Sequence, residues 1–404
     1  MAQAFEAMKL TDRVYWVGAI DWSLRNFHGY LTSRGTTYNA YLVVGEKTAL
    51  IDTVKAGFGD EMLSRVASVM DPSDIDYIVS NHAEMDHSGC LTQAVERIRP
   101  EKLIASKAAV SALDQHFHGT LQVTPVSNGE TLSLGDAELT FVETKMLHWP
   151  ESMVTYFERD AVLFSQDAFG MHLASTERYV DELPWDIVEY ETAKYFANIV
   201  LPYAPVVVKA LSSLAGLDLK VDLLATDHGP LWREPEHRGW VTGKYGEWSE
   251  QAPTRKAVVV YDTMWGSTDM MARAIGEGLS AGGAHPLLMP LSGSHRSDVA
   301  TEVLTAGALV VGSPTLNKTL YPTVADVLAY LTGLTPKNLV GGAFGSYGWA
   351  GQGSSHVQEA LEKMKVDLVV EELKVQYVPD AEALAGCRAW GRTIADALMA
   401  RLPQ

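Results

Sequence analysis

Residues 75–87 read Ile-Asp-Tyr-Ile-Val-Ser-Asn-His-Ala-Glu-Met-Asp-His, and this stretch decides the interpretation of the N-terminal half of the chain. Its first part, Ile75–Ser80, is an apolar run that predicts a buried strand. The loop that follows carries four potential metal ligands: His82, Glu84, Asp86 and His87. Such a concentration of imidazoles and carboxylates is costly unless a cation lies among them. Because oxygen ligands are abundant and thiolates are absent, the set favours iron or manganese over a structural zinc.

A simpler interpretation is a polar loop that caps the next helix through Asp86 or Ser88. That interpretation explains one residue and leaves three without a role. Further along, the same setting recurs, in which a short apolar strand is followed by a potential ligand: His148, Asp167 and His228. Each of these alone fits a surface position, but strand ends on one rim of a sheet bring distant loops together. Because all three residues follow a short apolar strand, we expect them to join the first four ligands in a single metal site.

Length and composition indicate two ordinary globular domains. The chain has 404 residues, which exceeds the roughly 250–300 at which a single core stops growing. It is 47% hydrophobic, and its net charge is 32 − 50 = −18, which argues against nonspecific binding to nucleic acid. Its two cysteines, Cys90 and Cys387, lie in different halves and predict no disulfide framework.

The same composition argues for a cytoplasmic protein without membrane attachment. No apolar run approaches the ~20 residues of a membrane span. The opening residues, Met-Ala-Gln-Ala-Phe-Glu, lack the basic and apolar regions of a signal peptide.

The pattern of predicted elements changes near residue 250. Before it, short β-like runs mix with amphipathic helices and a helical block at Trp185–Leu214. A polar, proline-bearing segment at 248–256 then predicts a linker. Beyond it, strands such as Ala257–Tyr261 alternate with helices such as Thr268–Ser280, which is typical of a doubly wound parallel α/β sheet. The predicted domains are 1–250 and 255–404.

Three loops at predicted strand ends of the second domain form another candidate site. The first, Thr-Met-Trp-Gly-Ser-Thr at 263–268, offers hydroxyls and backbone N–H groups to an anion at a helix N-terminus. It matches neither the dinucleotide nor the triphosphate glycine motif, and by itself it fits a helix cap equally well. Two later loops add small residues for close approach and aromatics that can flank a planar ring. The candidate cofactor-binding residues are Thr263, Met264, Trp265, Gly266, Ser267, Thr268, Pro314, Thr315, Leu316, Asn317, Ser346, Tyr347, Gly348 and Trp349.

The order His-x-Glu-x-Asp-His followed by His148, Asp167 and His228 resembles the flavodiiron proteins, also called A-type flavoproteins, and the three loops resemble flavodoxin. The resemblance covers essentially the whole chain. It implies an N-terminal metallo-β-lactamase-like αββα sandwich and a C-terminal flavodoxin-like doubly wound parallel sheet that binds FMN. Binuclear hydrolases of the first fold usually have His where this chain has Glu84, and the extra carboxylate favours iron.

The resemblance also implies a set of roles for the candidate ligands. One iron would take His82, Glu84 and His148, the other would take Asp86, His87 and His228, and Asp167 would bridge the two. His172, Tyr195 and His28 are candidates for neighbouring positions around this centre. His116 and His118 are expected to be structural, and Trp149 is expected to pack over the metal loops.

The implied activity is reduction of dioxygen to water, of nitric oxide to nitrous oxide, or of both. Electrons would pass through FMN from a separate rubredoxin or flavin reductase, because the chain has no Cys-x-x-Cys pair of its own. The resemblance further implies a head-to-tail homodimer, or a tetramer built from it. Two alternatives remain: a metal-dependent hydrolase with an accessory flavin domain, and a non-enzymatic flavin electron carrier.

Overall fold

A computed structural model describes residues 5–402, which fall into two compact units. Within that part of the chain, the first unit comprises residues 5–28, 32–195 and 205–246. The second comprises residues 29–31, 196–204 and 247–402.

Residues 5–250 contain short strands and seven α-helices. The strands are β1 Met8–Lys9, β2 Val14–Trp16, β3 Ala19–Asp21, β4 Asn26–Phe27, β5 Tyr30–Leu31, β6 Thr36–Tyr38, β7 Tyr41–Val43, β8 Ala49–Ile51, β9 Tyr77–Ser80, β10 Lys102–Ser106, β11 Val123–Val126, β12 Thr131–Ser133, β13 Glu138–Glu143, β14 Met153–Phe157, β15 Val162–Gln166 and β16 Leu223–Thr226. The helices are α1 Gly59–Ala67, α2 Met85–Ser88, α3 Leu91–Ile98, α4 Lys107–Phe117, α5 Trp185–Tyr195, α6 Ala204–Ala215 and α7 Pro235–Glu250.

Two sheets form the centre of the first unit. One has the order β1-β2-β7-β8-β9-β10-β11 and the other runs β12-β13-β14-β15-β16. Their inner faces share one core, in which Val79 and Ile104 of the first sheet pack with Phe141, Phe157 and Phe164 of the second. Alternate residues of a strand point to opposite faces, so the outer faces must also be covered.

Helices cover both outer faces. Apolar residues of α1, α3 and α4, such as Met62, Leu91 and Leu113, pack against the outer face of the first sheet. On the second, Leu163 faces Leu211 of α6 across a small cavity. These layers confirm the predicted αββα sandwich.

The second unit is a parallel sheet with helices on its faces. Its strands are β17 Lys256–Tyr261, β18 His285–Pro290, β19 Ala308–Gly312, β20 Val340–Tyr347, β21 Asp367–Leu368 and β22 Leu373–Gln376. Its helices are α8 Ser267–Ala281, α9 Arg296–Leu304, α10 Pro322–Leu334, α11 Gln352–Lys363 and α12 Ala381–Met399. The sheet order β18-β17-β19-β20-β21, with every pairing parallel, is that of a flavodoxin-like doubly wound fold.

Both faces of this sheet are covered. Val259 and Val310 pack with Ile275 of α8 and Ile394 of α12. Val258, the next residue on its strand, points to the opposite face and is also fully buried. The doubly wound sheet that strand–helix alternation predicts is confirmed.

Two details differ from the sequence-based expectation. Helix α7 continues to Glu250, so the predicted linker at 248–256 begins inside a helix. The stretch Trp185–Ala215 is long and apolar enough to span a membrane by length and composition alone, with 33% of its most apolar window buried. The sequence-based expectation that no apolar run approaches this length overlooked the stretch, because isolated polar residues such as Asn198 and Lys209 interrupt it. The stretch is not one regular helix, because the π-helical turn Phe196–Val200 and the 3₁₀ turn Leu201–Tyr203 separate α5 from α6.

Candidate metal centre and flavin-binding loops

The first group of candidate ligands follows the buried strand β9. His82 comes two residues after the strand ends, and the single-turn helix α2 carries Asp86 and His87. Glu84 occupies the N-cap position of α2 without a side-chain capping bond. Ser88 Oγ instead donates to the carbonyl of Ala83 at 2.8 Å. The capping interpretation for Asp86 and Ser88 is therefore wrong, since both lie inside the helix.

The later ligands come from the rim of the second sheet. Strands β15 and β16 run parallel, so Asp167 and His228 emerge at the same edge. Gln166 joins this edge to the loop that carries His148. Its Oε1 accepts from the backbone N–H of Asp167 at 2.7 Å, and its Nε2 donates to the carbonyl of Leu147.

Four side chains form a first cluster of ligand atoms, all within 4.8 Å of one another: His82, Glu84, His148 and Asp167. The Nε2 atom of His148 lies 2.9 Å from Asp167 Oδ2 and 3.4 Å from Glu84 Oε2. The Nε2 atom of His82 lies 3.3 Å from Glu84 Oε2 and 3.4 Å from Asp167 Oδ2. Ligand atoms held about 2.1 Å from one ion lie about 3.0–3.4 Å apart, so this spacing suits a metal ion.

A second cluster consists of Asp86, His87 and His228, and Asp167 adjoins it as well. His228 Nε2 lies 3.2 Å from Asp86 Oδ2, and His87 Nε2 lies 3.4 Å from Asp86 Oδ1. The other oxygen of Asp167, Oδ1, lies 3.1 Å from His87 Nε2 and 3.4 Å from His228 Nε2. The two oxygens of one carboxylate thus face two different clusters.

The candidate ligands are shielded from solvent, so their polar atoms need partners inside the protein. Asp86, His87, Asp167 and His228 are all less than a tenth exposed. Among the described residues, several of their ligand atoms have no hydrogen-bond partner: both oxygens of Asp86, both nitrogens of His87 and Oδ1 of Asp167. Buried polar atoms without partners are expensive. Three carboxylates with four imidazoles, aimed at two centres, fit a pair of divalent ions.

The pKa values of the clustered side chains also indicate a site for cations. Burial disfavours the charged form of His87, yet the charges of Asp86 and Asp167 raise its pKa to about 10. Burial acts to raise the pKa of Glu84, but hydrogen bonds from His148 and His82 lower it to about 2. These ionised carboxylates hold protons on the imidazoles at the places where cations would bind, and metal binding would displace those protons.

Three residues that the sequence analysis did not single out lie against the imidazoles, and Glu151 and Thr37 hold them by hydrogen bonds. Glu151, 3% exposed, accepts a hydrogen bond from His82 Nδ1 at 2.9 Å. The carbonyl of Thr37 accepts from His228 Nδ1 at 2.7 Å. Asp227 Oδ2 lies 3.5 Å from His87 Nδ1 without a hydrogen bond between them. Glu151 follows His148 by three residues and Asp227 precedes His228, so adjacency to a ligand is a signal that could have found both. A backbone carbonyl leaves no signal in the sequence.

The remaining candidates lie around this centre. His172 Nδ1 lies 2.9 Å from Thr36 Oγ1, and its ring is 4.6 Å from that of His228. Burial and the neighbouring His228 hold the pKa of His172 well below its usual value. The ring of Tyr195 lies 5.1 Å from that of His172, and burial together with the charge of Asp167 raises the pKa of its hydroxyl well above the usual value.

Two more aromatic groups, His28 and Trp149, border the first cluster, and two further histidines lie beyond them. His28 Nε2 lies 3.6 Å from Glu84 Oε1, although the His28 side chain is 75% exposed. The ring of Trp149 packs 5.4 Å from that of His82, and His116 stacks on Trp149 at 6.3 Å. Trp149 therefore covers one side of the metal loops, as expected, and His116 supports it. His118 ends helix α4 at its C-cap, in the left-handed region.

The first two flavin-loop segments follow β17 and β19, and the third begins within the strand, because Ser346 and Tyr347 are the last residues of β20. The three strands are adjacent in the parallel sheet. Thr268 Oγ1 and Ser346 Oγ are 2.8 Å apart, and the backbone N–H of Thr315 donates to the carbonyl of Ser346 at 2.9 Å. The three segments therefore meet at the carboxyl edge of the sheet, where ligands of such folds bind.

The first of these loops has the backbone of an anion site. Gly266 adopts φ +87°, which favours glycine, and its N–H donates to Thr263 Oγ1 at 3.1 Å. Helix α8 starts at the next residue, so its N-terminus faces the loop. The rings of Trp265 and Trp349 are 94% and 89% exposed. Exposed tryptophans beside such a loop suit stacking against a planar ring.

Comparisons with known proteins agree with this architecture. Residues 36–229 match the domain described as ODP family beta lactamase, and residues 259–391 match the flavodoxin family. The chain is 44% identical over 399 residues to the rubredoxin-oxygen oxidoreductase of Megalodesulfovibrio gigas, covering 98% of this chain and 99% of that protein. It is 42% identical over 394 residues to the nitric oxide reductase of Moorella thermoacetica, covering 96% and 98%. The crystal structure of the flavodiiron protein from Giardia intestinalis superimposes with a TM-score of 0.92 at 32% identity, covering 98% and 99%.

Proposed function

Because the chain belongs to the flavodiiron family, we propose that it reduces dioxygen to water, nitric oxide to nitrous oxide, or both, at a pair of iron ions supplied with electrons through FMN. The observation that carries this proposal is the position of Asp167. Its Oδ2 lies 2.9 Å from His148 Nε2 in one cluster, and its Oδ1 lies 3.1 Å from His87 Nε2 in the other. A carboxylate whose two oxygens face two ligand sets suits a bridge between two metal ions.

We assign the ligands accordingly. His82, Glu84 and His148 would hold one iron, Asp86, His87 and His228 the other, and Asp167 would bridge them. The loops at 263–268, 314–317 and 346–349 would hold FMN. The geometry of the two clusters and the adjacency of the three loops support this assignment. We also propose domain limits of 1–250 and 255–404.

The bound groups would supply paired electrons for a diatomic gas, and the chain's own residues would keep the site dry and ordered. Trp149 shields the first cluster on one side. Tyr195, 1% exposed, keeps its proton because burial raises its pKa, so its hydroxyl remains a donor. Thr36 Oγ1 lies 2.9 Å from His172 Nδ1 and 3.3 Å from His228 Nδ1, and it fixes the relative orientation of these two rings.

The electron donor is proposed to be a separate protein. The name of the relative from Megalodesulfovibrio gigas supports rubredoxin, and a flavin reductase is the other candidate. The chain has only two cysteines, far apart in sequence, and so lacks a rubredoxin-type cysteine pair of its own. We further propose a head-to-tail homodimer, alone or paired into a tetramer, and a cytoplasmic location.

The test begins with cofactor content. The purified chain is expected to contain about two iron ions and one FMN, and to consume dioxygen or nitric oxide when chemically reduced rubredoxin is supplied. Asp167→Asn should lose the iron pair and retain FMN. Asp114→Asn, an exposed position on helix α4, is the matched control and should retain both.

The same measurements separate the alternatives. A single zinc ion with hydrolytic activity would support the hydrolase, although Glu84 replaces the histidine usual in that class. FMN without bound metal would support an electron carrier, although all the proposed ligands are present and clustered. Iron and FMN without consumption of either gas would reject the proposed activity.

A further inference from the structure

A small cavity lies in the first unit between the second sheet and the helices that cover it. Its volume is about 10 Å³, and it is largely enclosed. Leu163 of β15 forms part of its wall on the sheet side, and Val207 and Leu211 of α6 form part of the opposite wall. Tyr245 of α7 closes another side. This cavity is not used by any step proposed above.

The wall of the cavity offers no polar surface. Ser165 Oγ donates to the carbonyl of Ala168 at 2.9 Å, and Tyr245 Oη accepts from the N–H of Phe169 at 2.7 Å. Thr144 Oγ1 has no hydrogen-bond partner among the described residues, but it adds no polar surface to the wall. A buried water needs two to four polar partners, so water gains little by entering. Apolar cavities that stay dry bind small apolar molecules such as xenon.

The cavity adjoins two of the three segments that carry ligands of the first cluster. Leu147, which precedes His148, and Ala168, which follows Asp167, are part of its wall. Gln166 holds these two loops together through the carbonyl of Leu147 and the N–H of Asp167. One face of each loop thus presents a ligand to the metal centre, while the neighbouring residue faces the cavity.

We propose that this cavity is a binding site for a small, uncharged, apolar diatomic gas next to the metal centre. The inference rests on the proposed function, and it names where the gas gathers before reaction. A diatomic gas has no hydrogen bonds to lose on leaving water, and it gains dispersion contacts with the surrounding side chains. The cavity is small enough to exclude larger organic substrates.

Xenon tests binding without any need for turnover. Crystals of the iron- and FMN-loaded protein, pressurised with xenon, are expected to show xenon density in the cavity. Ala210→Val adds two methyl groups to the wall and should abolish that density. Leu211→Ala enlarges the cavity and should increase its occupancy. Val208→Ile, on the 45%-exposed outward side of the same helix, is the matched control and should change nothing.

Gas kinetics complete the test. Ala210→Val should raise the KM for the gas and leave kcat unchanged, because it alters access and no ligand of the metal centre. Thermal unfolding of each variant checks that the fold is retained. Absence of xenon from both the parent chain and Leu211→Ala would overturn the proposal, as would an unchanged KM in a folded Ala210→Val that excludes xenon. Xenon binding in a protein that reduces neither gas would support this site and reject the proposed function.

Discussion

Replacing Glu151 tests whether a carboxylate outside the ligand set orients His82. Glu151 Oε1 accepts from His82 Nδ1 at 2.9 Å and from the N–H of Ala83 at 3.1 Å. Glu151→Ala removes this shared acceptor and leaves two buried donors, at a cost of about 1–3 kcal/mol each in unfolding free energy. Loss of a group that orients a metal-bound imidazole lowers metal affinity about 10- to 100-fold. Glu151→Gln keeps an acceptor oxygen and should lie between Glu151→Ala and the parent chain.

The assay is competition for ferrous iron against a chelator of known affinity, with FMN content as an internal reference. Iron affinity should follow the order parent, Glu151→Gln, Glu151→Ala, while FMN stays constant. Glu138→Ala, at an exposed position on strand β13, is the control and should bind iron as the parent does. If Glu151→Ala binds iron as tightly as the parent, the argument that Glu151 orients His82 is refuted.

Three other substitutions test separate contacts. Asn81→Ala removes an amide that donates to Asp52 at 2.7 Å, and it should lower the unfolding free energy by about 1–3 kcal/mol; an unchanged chemical unfolding curve would contradict this. Asn198→Ala loses a 2.8 Å bond from the Tyr330 hydroxyl and should cost about 1 kcal/mol in the same measurement, with no effect on iron content. Trp349→Ala should weaken FMN binding by about 0.5–1.5 kcal/mol in a fluorescence titration, and equal affinity would exclude Trp349 from ring stacking.

The sequence predicted the elements that depend on local pattern. The strand predicted at Ala257–Tyr261 and the helix at Thr268–Ser280 each agree with the structure to within a residue at either end. Strands formed by such apolar runs are buried on both faces of the sheet, and small or hydroxyl-bearing residues mark where they end. The candidate ligands could be predicted from the sequence because each follows a strand closely, and the ends of neighbouring strands meet at one edge of a sheet.

The features that were missed depend on contacts between distant segments. Glu151 and His82 are 69 positions apart, and their hydrogen bond exists only because two loops fold against each other. Thr37 contributes a carbonyl, which every residue possesses. The continuation of α7 through Glu250 was hidden by polar residues that suit an exposed helical surface as well as a linker. Tertiary packing, rather than local preference, decides such cases.

The two-sided placement of Asp167 has a consequence for how the protein acquires its metal. An ion in one pocket would draw the shared carboxylate into a fixed orientation and so prepare the neighbouring pocket for its own ion. Occupancy is then expected to be cooperative, and a sample with too little iron should divide into fully loaded and empty molecules rather than accumulate half-filled ones.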